Sequence, residues 1–220
     1  MRGQEDVRQQ VPLANTSKHG AAMMMQVGDI ATSTLTDSER ADILFVFEEE
    51  KMARDIYGVL GEAWGWRTIG HVSRSEQMHM TAVGGLLESY GIPEPKETSS
   101  TGRFADKDIQ ALYDRLVAEG RPSAEAAINV GLYVEEFDIH DLKTRMAHTD
   151  NKDILAVYDY LLNGSYMHLH HFLMRLGEVG GTYTPQILSK EEFDQAQAEG
   201  MNGMGGMMGG GRGMGGGMMH

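Results

Sequence analysis

Glu76 and His79 form a Glu-x-x-His pair inside a long helical pattern of this 220-residue chain. Positions three and four residues apart define one predicted buried face: Ile69, Val72, Glu76, His79, Val83, Leu86 and Tyr90. Two ionisable groups therefore stand where apolar side chains are expected. A buried carboxylate without a partner is costly, and a metal ion satisfies it beside an imidazole. The pair predicts a metal site whose other ligands come from elsewhere in the chain.

Three further long helices are predicted, and a metal-binding side chain interrupts the apolar row of each. The four helices run from about Asp37 to Leu60, Thr68 to Tyr90, Pro122 to His148 and Asn151 to Leu176. The preferred ligands are Glu50, Glu76, His79, Glu135 and His168. One carboxylate from each of two helices, with Glu-x-x-His motifs on the others, is the ligand set of di-iron bundles. Oxygen ligands with a few imidazoles suit iron or manganese, with zinc as a frequent substitute.

Three neighbouring carboxylates leave this ligand set open. Glu48 favours a solvated face of the first helix, whereas apolar residues flank Glu49 at helical spacing. On the third helix, periodicity places Glu135 in the core row. A short match between residues 49–56 and 135–142 instead pairs Glu136 with Glu50. Burial outweighs an eight-residue match, so Glu136 and Glu49 are second-choice ligands.

Local signals predict where the helices begin and end. Thr36 and Glu39 form a capping box at the start of the first helix, and the region of Gly58 and Gly61 predicts its end. Pro122 suits the first turn of the third helix. Gly164 weakens the fourth helix and predicts a bend there.

The connection across residues 91–121 is too long for a tight turn and suits a crossover between helices of a bundle. It contains a short amphipathic helix, predicted at 106–118. A last short helix is expected at 190–198, after a second capping box formed by Ser189 and Glu192.

The pattern predicts an all-α domain with a tail at each end. Residues 1–34 are polar and aperiodic, which favours a flexible arm, and residues 35–199 form the helical bundle. Residues 200–220 are rich in glycine and methionine, with seven Met and ten Gly from 201 onward, so disorder is expected there.

Composition excludes several classes of function. The chain has no cysteine, which excludes disulfides, thiolate catalysis and iron–sulfur sites. A formal net charge of -13 argues against nucleic-acid partners and anionic membrane surfaces but is compatible with cations. No apolar run approaches the roughly 18 residues of a membrane span, and no signal-peptide core is visible. The compartment is not indicated.

Two segments carry a resemblance to known proteins. Glu50-Lys51-Met52-Ala53-Arg54-Asp55-Ile56-Tyr57 resembles the Glu-x-x-Ala-Arg-x-x-Tyr segment of rubrerythrin-type helices, and Ser75-Glu76-Gln77-Met78-His79 resembles their Glu-x-x-His. Residues 35–176 as a whole resemble a prokaryotic ferritin-like family of unassigned function, through segments 48–55, 135–139 and 164–169. The resemblance implies a ferritin-like four-helix bundle with an iron site, supported by Tyr57 and Asp55.

One position departs from the ferritin-like pattern. Such sites usually carry a second Glu-x-x-His on the fourth helix, which here reads Ser165-Tyr166-Met167-His168. Three alternatives follow: Glu136 or Glu49 replaces the missing carboxylate, the site holds one metal ion, or it binds a second ion weakly.

These patterns lead to three hypotheses of function. The first is a mononuclear or dinuclear iron site with oxidase or peroxide-reducing activity, whose partners are metal ions and dioxygen or peroxide. The second is a non-enzymatic protein whose Met-rich tail and His220 bind Cu(I) through soft ligands. The third is a metal-free interaction module. Bundles of this type commonly form homodimers, but no helix face in the sequence identifies one.

Overall fold

The computed structural model describes residues 34–65 and 67–208, and all regular structure in these ranges is helical. The α-helices there are α1 (Asp37–Trp64), α2 (Arg67–Ser89), α3 (Lys107–Gly120), α4 (Ala124–Met146), α5 (Lys152–Glu178) and α6 (Lys190–Met208). A 3-10 helix, Lys96–Ser99, lies between α2 and α3. The all-α prediction is confirmed for these residues. The expected arm at 1–34 lies outside the described residues except for residue 34, and so does the tail beyond residue 208.

The long helices α1, α2, α4 and α5 pack around one apolar core. Helices α1 and α2 are antiparallel, since Arg54 pairs with Gln77 and Glu50 with His79. Helices α1 and α4 are also antiparallel, since Asp42 pairs with Arg145 and Tyr57 with Glu135. Helices α2 and α4 therefore run in the same direction. None of the helices in the described ranges is long and apolar enough to cross a membrane.

Carboxylates of α1 hold the connection between α2 and α3 against the bundle. The backbone N–H groups of Ala105 and Asp106 each donate to Glu48 at 2.6 Å. The expectation that Glu48 faces solvent is wrong, because these donors allow its carboxylate to be buried, at 4% exposure. One turn further along α1, Lys51 is also buried and donates to Asp55 at 2.7 Å.

Helix α1 does not end at the glycines that the sequence suggested. It continues through Gly58 and Gly61 to Trp64, so the predicted end near Leu60 is wrong. The residue that stops it is Gly65, whose φ of 64° is the left-handed conformation that glycine adopts without strain. Helix α5 likewise continues through Gly164 as one helix.

Capping side chains mark the starts of several helices. The capping boxes of Thr36 and Ser189 are both confirmed. Helix α4 begins one residue after Ser123, whose Oγ accepts from the N–H of Ala126, so the predicted start at Pro122 is wrong.

Helix α6 extends to Met208, ten residues beyond its predicted end and into the segment for which disorder was expected.

Candidate metal centre

The five preferred ligands converge in the middle of the bundle from four helices. Glu50 comes from α1, Glu76 and His79 from α2, Glu135 from α4 and His168 from α5. All five are buried, with exposed fractions of 0–2% for four of them and 8% for His168. Helical periodicity therefore identified one spatial cluster, although the sequence separations within it reach more than one hundred residues.

Glu76 lies between the two histidines and directs one carboxylate oxygen at each of them. Its Oε2 atom is 2.7 Å from His79 Nδ1, and its Oε1 atom is 2.8 Å from His168 Nδ1. Glu50 Oε2 lies 3.2 Å from His79 Nδ1, and Glu135 Oε1 lies 3.7 Å from His168 Nδ1. Two three-ligand groups result, both of which include Glu76, and the ligand atoms within each group lie within 4.8 Å of one another.

The close contacts of Glu76 do not have the geometry of hydrogen bonds. Both of its oxygens and the His168 Nδ1 atom are buried without a hydrogen-bond partner. Ligand atoms about 2.0–2.2 Å from one ion lie roughly 3 Å apart, and the separations here are 2.7–3.7 Å. The orphaned atoms therefore fit a shared cation, and the mixture of carboxylate oxygen and imidazole nitrogen fits iron, manganese or zinc.

The pKa values in the cluster show which charges balance its carboxylates when no metal is bound. Burial raises the pKa of Glu50 to about 7, although His79 opposes the shift. Burial lowers the pKa of His168, but Glu76 and Glu135 outweigh it and raise the pKa to about 10. The same partners act on Glu76, since His168 and His79 overcome its burial and hold its pKa far below the usual value. In the metal-free protein, protonated imidazoles thus supply the positive charge that a metal ion would supply.

Tyr57 orients one of the candidate ligands. Its hydroxyl donates to Glu135 Oε1 at 2.5 Å and leaves Glu135 Oε2 without a partner. Hydrogen bonds of this kind fix a metal-binding carboxylate in position. Asp55, the other residue expected to support the ligands, lies apart from them and instead pairs with Lys51 and Arg54, each at 2.7 Å.

The second-choice ligands Glu136 and Glu49 are both buried but lie outside the two three-ligand groups. Glu136 accepts from the Tyr183 hydroxyl at 2.5 Å and from the backbone N–H groups of residues 186–188. It therefore holds the connection between α5 and α6 in place. Glu49 lies beside Asp138, and burial raises the pKa of both carboxyl groups well above their usual values.

Two small residues shape the α5 side of the centre. A Cβ atom on Gly164 would lie 2.3 Å from His79 Nε2, so the imidazole occupies the space that any other residue would fill. Sequence reasoning missed this role, for which the only signal was a glycine inside a helix four residues before His168. Ser165 is buried, and its hydroxyl donates to the Leu161 carbonyl at 3.2 Å. Helix α5 therefore brings a single side chain, His168, into the two ligand groups.

Comparison with known protein families identifies the family of this chain. A family described as an uncharacterized protein domain, DUF2202, matches residues 39–198. The chain belongs to this family. The DUF2202 match includes all five candidate ligands and extends from the first turn of α1 into α6.

A relative from an archaeon has a similar sequence and fold. The uncharacterized protein MJ0754 of Methanocaldococcus jannaschii is 38% identical over 173 residues, which cover 79% of this chain and 94% of the relative. The crystal structure of hypothetical protein MJ0754 from Methanococcus jannaschii matches with a TM-score of 0.75 at 38% identity. That match covers 77% of this chain and 97% of the other. The DUF2202 helical domain is therefore shared over nearly the full length of this relative.

Proposed function

We propose that this DUF2202 protein is a ferritin-like metalloprotein that binds two iron ions in the bundle core. The ligands are Glu50, Glu76, His79, Glu135 and His168. The observation that carries the proposal is the position of Glu76, which presents one oxygen to each three-ligand group as a bridging carboxylate does. Three carboxylates beside two imidazoles also offset most of the charge of two divalent ions.

The origin of each ligand supports the ferritin-like part of the proposal. Helices α1 and α4 contribute one glutamate each, α2 contributes Glu-x-x-His, and α5 contributes the histidine of a second such motif that has lost its glutamate. Helices α2 and α4 run in the same direction, which requires the long crossover that bundles of this class contain.

Iron at this centre supplies one-electron redox chemistry, with dioxygen or hydrogen peroxide as the oxidant of Fe(II). The protein orients the ligands, excludes bulk water and holds Glu135 through Tyr57. Because Ser165 replaces a carboxylate, the five side chains leave ligand positions free for the oxidant, as a catalytic metal site requires.

Oxidation of anaerobically loaded protein tests this function. We expect Fe(II)-loaded protein to consume dioxygen or peroxide and to develop the optical absorption of a ferric carboxylate site. Glu76→Gln removes the shared carboxylate and should abolish both signals. Glu88→Gln is the matched control, because it makes the same change at an exposed position of α2. Absence of bound iron in the wild-type protein, or an unchanged signal in Glu76→Gln, would contradict the proposal.

A second candidate function, Cu(I) binding, is favoured by a contact between α5 and α6. Helix α6 carries the start of the Met-rich segment, and a Cβ atom on Gly203 would lie 3.4 Å from Met167 Sδ. One turn along α5, His170 has a buried Nδ1 atom without a partner. Thioether and imidazole are ligands that Cu(I) accepts. Met167 and His170 would thus anchor a site that methionines of the tail complete.

Competition with a chromogenic Cu(I) chelator tests this second candidate. We expect Met167→Leu/His170→Gln and deletion of residues 200–220 each to weaken Cu(I) binding at least tenfold. Met174→Leu is the control, since its exposed side chain lies on the same helix. Equal Cu(I) affinities in all these proteins would reject the candidate.

A further inference from the structure

Glu49 and Asp138 form a second pair of buried carboxylates beside the five-ligand cluster. Glu49 directly precedes Glu50 on α1, and Asp138 follows Glu135 by one turn of α4. Each of the two is only 1% exposed, and their side chains lie within hydrogen-bonding range of each other. None of their four carboxylate oxygens has a hydrogen-bond donor. Apart from each other, the two carboxyl groups therefore have no hydrogen-bond partner in the buried interior.

The surrounding side chains do not neutralise this pair. Arg145 approaches it from the surface, but its guanidinium donates to Asp141 and Asp42 instead. A proton shared between the two carboxyls would satisfy only two of the four oxygens. Arg145 therefore acts on Glu49 only from a distance, and among the described residues no basic side chain forms a salt bridge with either carboxylate.

A third polar group points to a ligand at the same place. The hydroxyl of Tyr158 is fully buried and has no partner. The charged groups that act on it are Arg145, Asp42, Asp141 and Glu49, so it lies in the same part of the core. An oxygen of neutral charge beside two carboxylates is a common part of a hard-cation site.

We propose that Glu49 and Asp138 bind a divalent cation that prefers oxygen ligands, at a site separate from the iron cluster. The two carboxylates supply the charge, the Tyr158 hydroxyl is an unpartnered oxygen in the same part of the core, and water molecules complete the coordination shell. The set contains no imidazole, so it selects manganese or magnesium rather than softer metals.

The position of the site indicates a role in supplying the cluster. On one side Glu49 interacts with Asp141, which is partly exposed, and on the other Asp138 interacts with Glu50 and Glu135. A cation bound to the pair would therefore lie between the surface and the five ligands. This role rests on the proposed function, whereas the existence of the site does not.

Mn(II) binding measured by equilibrium dialysis and elemental analysis tests the site. We compare the wild-type protein with Glu49→Gln/Asp138→Asn and with Glu76→Gln. The pair variant should bind one Mn(II) fewer per chain than wild type, and Glu76→Gln should retain the ion of the pair. Mn(II) should also raise the melting temperature of the wild type more than that of the pair variant. Equal Mn(II) stoichiometry in wild type and pair variant would overturn the inference.

The variants also separate this inference from the proposed function. If Glu76→Gln loses Mn(II) and the pair variant does not, only the second site is rejected. If only the pair variant loses Mn(II), the second site stands and the cluster is rejected.

The amides keep the shape of the carboxylates and remove buried charge, and far-UV circular dichroism checks the fold. Asp138→Asn alone gives the same comparison if the double variant does not fold.

Discussion

Gly164 lies so close to the imidazole of His79 that a Cβ atom on it would stand 2.3 Å from His79 Nε2. At this point the backbone of α5 borders the candidate metal centre and limits the positions open to the imidazole of His79. The other ring nitrogen, His79 Nδ1, lies 2.7 Å from Glu76 Oε2. His79 is therefore held between the backbone of one helix and the carboxylate of its own helix.

Substitution of Gly164 by alanine should weaken metal binding. The new methyl group displaces His79, and we expect the affinity for Fe(II) or Mn(II) to fall at least tenfold, as titration of the purified protein would show. Gly177→Ala is the control, because Gly177 lies on the same helix with open space around it. That change should leave metal affinity unaltered and stabilise the protein by up to about 1 kcal/mol. Equal metal affinities in the two variants would show that Gly164 does not position His79.

Removal of the Tyr57 hydroxyl should affect both the metal and the fold. Tyr57→Phe takes away the donor to Glu135 Oε1, whose second oxygen already lacks a partner. We expect metal affinity to fall about 10–100-fold, and the free energy of unfolding of the metal-free protein to fall by about 1–3 kcal/mol. Tyr90→Phe, which removes a hydroxyl far from the centre, should leave metal affinity unchanged. A normal metal affinity in Tyr57→Phe would contradict this account of Glu135.

Single glutamine substitutions at Glu135 and Glu136 distinguish a metal ligand from a residue that only stabilises the fold. Glu136→Gln weakens the bonds from Tyr183 and from the backbone N–H groups of residues 186–188, so we expect a loss of about 2–3 kcal/mol in stability with normal metal content. Glu135→Gln should instead lose metal. Chemical denaturation and elemental analysis measure the two effects, and the reverse pattern would show that Glu136 is the ligand.

The metal-free protein should become less stable as the pH rises from about 5 to 9. The raised pKa of His168, about 10 against 6.5, gives stability that is complete below pH 6.5 and is lost as the pH approaches 10. The raised pKa of Glu50, about 7 against 4.5, destabilises the fold progressively as the pH rises from 4.5 to 7. Both groups therefore act in the same direction.

Bound metal should reverse this trend, because deprotonated ligands bind it more strongly. Melting temperatures measured with chelator and with saturating Mn(II) should therefore diverge as the pH rises. A metal-free melting temperature that stays constant or rises between pH 6.5 and 9 would contradict the charge arrangement described for the cluster.

Helical periodicity was sufficient to predict that the five side chains cluster, because each lies on the buried stripe of its own helix. His168, for example, is separated from Glu76 by more than ninety residues in sequence, yet each could be recognised from neighbours three and four positions away. The preference for Glu135 over Glu136 rested on the same stripe. In the structure Glu135 lies in one of the two three-residue groups, whereas Glu136 accepts from the backbone before α6; whether Glu135 binds a metal stays a prediction.

Periodicity could not assign the neighbours of these ligands. Consecutive residues of a helix point about 100° apart, so Glu48 contacts a loop, Glu49 lies beside a second carboxyl group, and Glu50 joins the five-residue cluster. The partner of Glu48 lies 57 residues away in the connection before α3, which carries no local signal for this contact. Its burial therefore follows from tertiary structure alone. The end of α1 is similar, because of Gly58, Gly61 and Gly65 only Gly65 adopts the left-handed conformation.

The bridging position of Glu76 is the central claim, and anaerobic Fe(II) binding tests it most directly. Iron per chain is measured after gel filtration for the wild-type protein, Glu76→Gln and Glu50→Gln. Glu76 belongs to both ligand groups and Glu50 to one. We therefore predict that Glu76→Gln binds two iron ions fewer than wild type and Glu50→Gln one fewer. Equal losses in the two variants, or no loss in Glu76→Gln, would contradict a centre bridged by Glu76.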